Sequence, residues 1–347
     1  MKKVLLGMSG GVDSSVAAYL LKKAGYDVVG LYFTITDKAP DLTDLKAVCA
    51  HLDLPFVVRS FKDIFDQKVL NPFIREYSLG NTPNICVGCN TYIKFGALLE
   101  EASRLGCDYI ATGHYCEKTT VDGVTRLKMA ADKDKDQTYF LHGVSTAALD
   151  RTLFPLGGLT KEDVRRIACE NSIPTAQKKD SSDVCLAEGG KFSDFIGGLI
   201  PPCPGDIITV DGERVGRHKG LHTCTLGQRR GLNLGGKSGE DGRWFVVDKD
   251  PQKNAVIVAH GSEDLLFKST FTVSDVNFIG TPPRGSFDCF VKTRYRAALK
   301  PCTVTPTDGG FCVRLFSGER AITLGQYAVF YDGDLCLGGG RITSVAP

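Results

Sequence analysis

Apolar positions along the chain fall into two regimes. As far as about residue 114, short unbroken apolar runs alternate with stretches in which apolar residues return every three or four positions. Val4-Leu5-Leu6, Val28 to Phe33, Phe56 to Arg59 and Cys107 to Thr112 are runs of the kind a strand covered on both faces shows. Val16, Ala17, Leu20 and Leu21 form one face of a helix from about Asp13, with Gly25 as its stop. Leu45, Val48, Cys49 and Leu52 form a second such face within Leu42 to Leu52. This alternation predicts an α/β domain built on a parallel, doubly wound sheet. Ligands of such sheets bind beyond the carboxyl ends of the strands. The Ser9-Gly10-Gly11 turn, Phe33 and Gly113-His114 all follow strand ends, so they are expected on one rim.

Residues 60 to 106 read as an insertion. Asp63 to Tyr77 is helical in pattern, Gly80 to Asn90 is too rich in turn residues for regular structure, and Ile93, Leu98, Ala102 and Leu105 carry a further helix that Gly106 ends. Cys86 and Cys89 are thereby expected just before a helix N-terminus, where thiolate is favoured. Lys133 to Gln137 reads as a solvated charged turn. Thr160 to Ser172 is a helix with a cap at Thr160 and Asp163 three residues on. Lys178 to Cys185 is a polar loop, and Lys191 to Leu199 a short helix. After Pro201-Pro202-Cys203-Pro204-Gly205 the helical period disappears. Short strands and glycine turns follow to about 260, with a basic segment at Thr225 to Gly231. Residues 265 to 347 alternate apolar and polar, with Asp-Gly turns at 308 and 332, as in an antiparallel barrel or sandwich. Three units are expected: 1–200, a small β-rich unit 201–262, and a C-terminal β-barrel 263–347.

Composition narrows the class. A chain of 347 residues with 42% apolar residues can bury several cores, and it has no run approaching a membrane span. Met-Lys-Lys-Val leads straight into a strand, which reads as no signal peptide. Thirteen cysteines without a secretion signal then point to a reducing cytoplasm and mostly unpaired thiols. The net charge of +2 is not the global footprint of a nucleic-acid binder, so any RNA contact must be local. Lys292-Thr293-Arg294-Tyr295-Arg296 is such a patch, basic and aromatic together.

The turn after the first strand is an anion site in outline: backbone N–H groups and the positive end of a helix dipole converge there. It matches neither Gly-x-x-x-x-Gly-Lys-Ser/Thr nor Gly-x-Gly-x-x-Gly. Ser9-Gly10-Gly11-Val12-Asp13-Ser14-Ser15 resembles the loop of the PP-loop ATP pyrophosphatases, which have a HUP-like sheet. That resemblance implies that Ser9, Gly10, Gly11, Ser14 and Ser15 hold pyrophosphate, with Asp13 near its Mg2+.

The likeness extends beyond the loop. Thr82-Pro83-Asn84, Cys89-Asn90, Ile93-Lys94-Phe95, Asp108 to Tyr115, Lys135 to Leu141, Lys178 to Cys185, His222 to Gln228, Val291 to Arg296 and Ala328 to Gly340 occur in an order that resembles the tRNA 2-thiouridylases of bacteria and mitochondria. The family chemistry is ATP-dependent: the wobble uridine of a tRNA anticodon is turned out, its 2-carbonyl oxygen is adenylated, and sulfur displaces AMP. The resemblance implies that Gly7, Met8, Ser9, Gly10, Gly11, Val12, Asp13, Ser14, Ser15, Phe33 and Gly113 hold ATP. It implies that His114, Lys135, Asp136, Gln137, Arg294, Tyr295 and Gln326 contact tRNA, and that Asn84, Ile85 and Cys86 line the target base. Cys89 and Cys185 match the family's nucleophile and persulfide carrier. A sulfur donor is implied as partner: sulfide, a cysteine desulfurase or a relay protein.

One departure stands out. The family text before the nucleophile is Asn-Pro-Asp-x-x-Cys, whereas here it is Asn84-Ile85-Cys86-Val87-Gly88-Cys89. A carboxylate has become a thiol. Cys86, Cys89 and Cys185 make three thiols that can hold a 4Fe–4S cluster with one iron open. The alternatives are a Cys185 persulfide with Cys89 as nucleophile, and a zinc site with His114 as fourth ligand. The other ten cysteines are scattered singly. The loop Thr34 to Asp41 is short for the family. Two competing functions are a ligase or amidotransferase acting on a small molecule, and a non-catalytic RNA-binding or sulfur-carrier protein. The first needs neither the β units nor the cysteines; the second predicts a degraded nucleotide loop, and the loop is intact.

Overall fold

The computed structural model describes residues 1–179, 192–235, 242–261 and 263–346. In chain order the first strands are β1 (Lys3–Gly7), β2 (Asp27–Thr34), β3 (Phe56–Ser60), β4 (Tyr109–Ala111), a hairpin of β5 (Cys116–Val121) and β6 (Val124–Met129), and β7 (Thr152–Leu153). Five of them form a parallel sheet in the order β3-β2-β1-β4-β7. Side chains alternate between two cores. Val4, Leu6, Val28 and Ala111 face α1 (Val12–Lys23), α2 (Thr43–His51) and the helix Lys161–Glu170. Leu5, Leu31 and Ile110 face Phe65, Ile93 and Leu98. Both faces are covered, so the unbroken apolar runs mean what they were expected to mean: a doubly wound sheet. The strand order reverses between β1 and β4, and the crevice at that point lies beyond Gly7 and Ala111.

Lys62 to Ser78 is helical, with a π segment at Asp66–Leu70. The following stretch corrects the expectation. Gly80 to Asn90 is not irregular throughout, because a helix begins at Ile85 and runs on through a π-helical segment, Cys89–Ala97, to Arg104. Its N-cap is Asn84, whose extended backbone lets the side-chain oxygen accept the Cys86 N–H at 3.1 Å. A cap of this kind starts a helix despite poor local propensity. Cys86 therefore lies in its opening turn and Cys89 one turn on, not before it.

The helix at Lys161–Glu170 has the full capping box: the Asp163 N–H donates to Thr160 Oγ1, and the Thr160 N–H donates to the Asp163 carboxylate. A mixed four-stranded sheet follows, made of β8 (Gly205–Thr209), β9 (Arg214–His218), β10 (Trp244–Asp250) and β11 (Ala255–His260) in the order β10-β11-β8-β9. The last unit has β12 (Phe267–Phe278), β13 (Phe287–Lys292), β14 (Lys300–Thr307), β15 (Gly310–Arg320), β16 (Tyr327–Asp332) and β17 (Leu335–Val345). They close as β12-β15-β14-β13-β16-β17-β12, an antiparallel six-stranded barrel.

The hairpin β5–β6 was not anticipated. It leaves the parallel sheet after β4 and pairs with the barrel, Leu127 opposite Cys336 and Lys128 opposite Leu335. Leu127 is fully buried there, in the same core as Tyr139, Tyr331 and Cys336. Two of the ten remaining cysteines are also not single. Cys289 and Cys302 face each other across β13 and β14 with sulfurs 3.6 Å apart inside the barrel.

Candidate functional site

The nucleotide loop is held open by its own hydroxyls. Ser15 Oγ donates to the Gly11 carbonyl at 2.8 Å and Ser14 Oγ to the same oxygen at 3.1 Å. Ser14 Oγ also accepts the Ser9 N–H at 3.3 Å. Gly11 stands at the N-cap of α1 with no side chain capping the helix. The first-turn N–H groups consequently face the crevice, ready for an anion. Gly10 has φ +70°, which glycine adopts without strain. Gly113, on the loop after β4, abuts the helix start: a Cβ there would lie 3.1 Å from the Ser14 nitrogen. The expected rim exists, and Phe33, stacked on Phe61 at 5.6 Å, borders it at the end of β2. The side chains of Met8 and Val12 are buried in the core beneath the loop.

Several residues of this site were not legible. Asp13 Oδ1 accepts from Tyr115 Oη and from Lys161 Nζ, both at 2.7 Å, and the Lys161 ammonium lies 5.7 Å from the centre of the Tyr115 ring. Lys178 Nζ donates to the Gly10 carbonyl at 3.1 Å and to Asp44 at 2.5 Å. Thr175 Oγ1 donates to Ser15 Oγ at 3.1 Å. Tyr115 closes the Asp108 to Tyr115 motif, and Lys161 follows the capping threonine. No spacing in the chain ties either to Asp13 across more than a hundred residues.

His114 is buried, with Nδ1 2.8 Å from Thr112 Oγ1 and Nε2 3.4 Å from Lys94 Nζ. Burial, and then the Lys94 charge, hold its imidazole well below the usual range, so it is neutral. It is not a surface group for tRNA, and its ring nitrogens do not face Cys86 or Cys89. Asp136 is buried too, accepting from Ala130 N–H at 3.0 Å and Thr138 Oγ1 at 2.7 Å, and burial raises its carboxyl. Gln137 accepts the Tyr115 N–H at 2.9 Å. Of the Lys135-Asp136-Gln137 trio only Lys135 is exposed, because the acid and amide brace the turn from inside.

The cysteine helix begins in a cleft of ≈ 360 Å³. Asn84, Arg294, Tyr295 and Gln326, all expected at the tRNA interface, line it together with Thr225 and Leu226 of the basic segment. Tyr295 sits 4.4 Å from Phe140, ring centre to ring centre. Arg294 is exposed and lies 3.5 Å from the buried Glu319 carboxylate. Ile85 points into the core instead of the cleft. Cys86 is half-buried, and Cys89, one turn on, is buried among apolar side chains. Cys185 lies outside the described residues. Among the described residues no three His, Cys, Asp or Glu side chains converge as a metal site.

The family model described as tRNA methyl transferase HUP domain matches residues 2–189. Its companions, described as PRC-barrel and aminomethyltransferase beta-barrel domains, match 193–260 and 268–342. The chain is 46% identical to the tRNA-specific 2-thiouridylase MnmA of Hahella chejuensis over 99% of its length and 98% of that protein. It is also 46% identical to the protein of that name from Yersinia pestis, over 100% of this chain and 97% of that one. A solved 4-thiouridine synthetase–RNA complex with bound ATP aligns at 15% identity and TM-score 0.36 over 58% of this chain and 50% of that one. With the nucleotide loop, the cysteine helix and the cleft in place, and with relatives matching from end to end, the chain belongs to the family of tRNA-specific 2-thiouridylases.

Proposed function

We propose that this enzyme thiolates tRNA at C2 of the wobble uridine, using ATP to adenylate the base before sulfur displaces AMP. One observation carries the reading. A single helical stretch runs from the cleft, at Asn84, past Cys86 and Cys89 to Lys94, whose amine meets His114 beside Gly113 and the nucleotide loop. Base, sulfur and ATP chemistry are thus strung along one element, and fixed placement is what addition of sulfur at C2 and expulsion of AMP need. The uncapped N–H groups of α1 bind the pyrophosphate. Asp13 would hold Mg2+, a cation that needs few protein ligands beside phosphate oxygens and water. Lys161 supplies positive charge where negative charge is released.

Cys86 and Cys89, three residues apart in a largely apolar setting, suit two corners of an iron–sulfur cluster, and Cys185 would be the third ligand. Bound there, a 4Fe–4S cluster would supply sulfide at an open iron. The test is iron and acid-labile sulfide per chain after anaerobic purification, for wild type and Cys86→Ala. About four of each, lost in the variant, is the expected result. No iron after reconstitution would return the chain to a Cys185 persulfide with Cys89 as nucleophile. If ATP turnover ignored tRNA altogether, the reading would give way to a ligase or amidotransferase acting on a small molecule.

A further inference from the structure

The residues that place the cysteine helix come from the other end of the chain. The helix before it, Asn71–Ser78, ends with Gly80 at φ +82°; the Gly80 N–H donates to the Tyr77 carbonyl at 3.0 Å and the Asn81 N–H to the Glu76 carbonyl at 3.1 Å. That is a glycine-terminated helix end of the Schellman type, and it carries the negative pole of the helix dipole. Lys249, on β10 of the middle unit, reaches across and donates from Nζ to the Gly80 carbonyl at 2.6 Å. The middle unit is seated directly on this turn: a Cβ at Gly80 would lie 3.0 Å from the Leu221 side chain and 3.3 Å from that of Lys249. Burial pushes the Lys249 amine down to about 8, so at neutral pH it meets the helix end mostly as an ammonium. Cys224, His222 and His218 are the other titratable groups facing it.

The next residues are tied to the barrel. The Thr82 N–H donates to the Leu324 carbonyl at 2.9 Å, and Gln326 Nε2 donates to the Thr82 carbonyl at 2.7 Å. Arg341 lies 3.3 Å from Glu76, which also accepts from Asn81 Nδ2 at 2.7 Å. Gly325 (φ +85°) runs under this strap, where a Cβ would lie 3.1 Å from that of Asn81 and 3.2 Å from the Thr82 nitrogen. Two residues later Asn84 caps the cysteine helix.

We propose that Lys249 is a positioning residue: with the barrel's grip on Thr82, it fixes the strap 80–84 and so sets where the cysteine helix begins. The middle unit and barrel, which line the cleft, thereby hold the thiols in register with whatever the cleft admits. The activity part of the test rests on the proposed thiolation; the exchange part does not.

Hydrogen–deuterium exchange of Lys249→Met is expected to rise about tenfold in peptides spanning 79–90 and to stay unchanged in α1 and in β12–β17. In tRNA thiolation, kcat falls about tenfold while KM for tRNA stays within about twofold, and Lys249→Arg recovers most of the loss. Gly325→Ala, which pushes the strap from the barrel side, gives the same local exchange pattern and covers the case in which Lys249→Met does not fold. Unchanged exchange over 79–90 in both variants overturns the proposal. So does a rise spread over the whole chain in both variants, or a loss of kcat as large in Lys249→Arg as in Lys249→Met. If wild type makes no thiouridine while the variants show the local exchange change, the function is refuted and the positioning role stands.

Discussion

Asp13 shows how much one side chain's meaning depends on its neighbours. Its position in the Ser-Gly-Gly-x-Asp-Ser-Ser loop marks it for nucleotide chemistry, but the structure adds Lys161 and Tyr115 on the same carboxylate oxygen. Removing the cation in Lys161→Met is expected to raise KM for ATP about tenfold and leave tRNA affinity alone. A parallel loss of both, in filter binding and pyrophosphate release, would make Lys161 a folding residue. Arg294 differs because it is exposed at the cleft with only part of its charge answered by Glu319, which Lys300 also contacts at 3.1 Å. If it meets phosphate, Arg294→Ala lowers the slope of log K against log salt by about one. An unchanged slope would remove it from the interface. His114 and Asp136, marked for tRNA by resemblance, are interior groups, and no sequence pattern announces burial at a single polar position.

At the scale of elements, the cysteine helix is the instructive case. The run Gly80 to Asn90 looks like loop because it is rich in turn residues, and a side-chain cap at Asn84 starts a helix within it. Asn84→Ala is expected to cost the helix about 1 kcal/mol, whereas Asn84→Asp keeps an acceptor in place and much of the stability. Denaturant unfolding of the two variants reads this directly. If thiolation were lost equally in both with stability intact, Asn84 would act on the base and not as a cap. The hairpin β5–β6 is a second instance. Its alternation of apolar and polar residues fits a strand pair, but its partner β17 lies some two hundred residues away. Leu127→Ala empties a fully buried site at that joint and should destabilise by about 2–5 kcal/mol. A shift within a few tenths of wild type would mean the joint adds nothing to stability.

Over the whole molecule, buried histidines set a common response to acid. His142 donates from Nδ1 to the Tyr139 carbonyl at 2.7 Å under the barrel, against Tyr327, and burial pushes it down to about 4. Burial also lowers His114, His218 and His222. The unfolded chain binds these protons first, near pH 6.5. Stability is then full above that value and falls as the pH drops toward 4, on the order of 3 kcal/mol for His142 alone. The Asp136 carboxyl, raised by burial, works the other way at the acid end. Unfolding midpoints from pH 7.5 downward should show the decline, and His142→Gln should flatten it. An identical pH slope in that variant would place the response elsewhere. Among the described residues no helix is long and apolar enough to cross a membrane.

The sequence by itself determined whatever is local or periodic. The apolar runs and helical faces dictated the doubly wound sheet, the glycine turn dictated a helix start with no side-chain cap, and Thr160 with Asp163 dictated a capped helix. Alternation and Asp-Gly turns likewise pointed to the antiparallel strands of the last unit, although their closure into a barrel rests on the pairing of its first strand with its last. Only the tertiary structure decided which distant groups meet. Lys161 reaches Asp13, Lys249 holds Gly80, Gln326 holds Thr82, and the hairpin β5–β6 joins the barrel. The physical reason is that secondary structure follows from neighbours a few residues apart, which a pattern records. A hydrogen bond between residues more than a hundred positions apart depends on how whole units pack, and no local period carries that information.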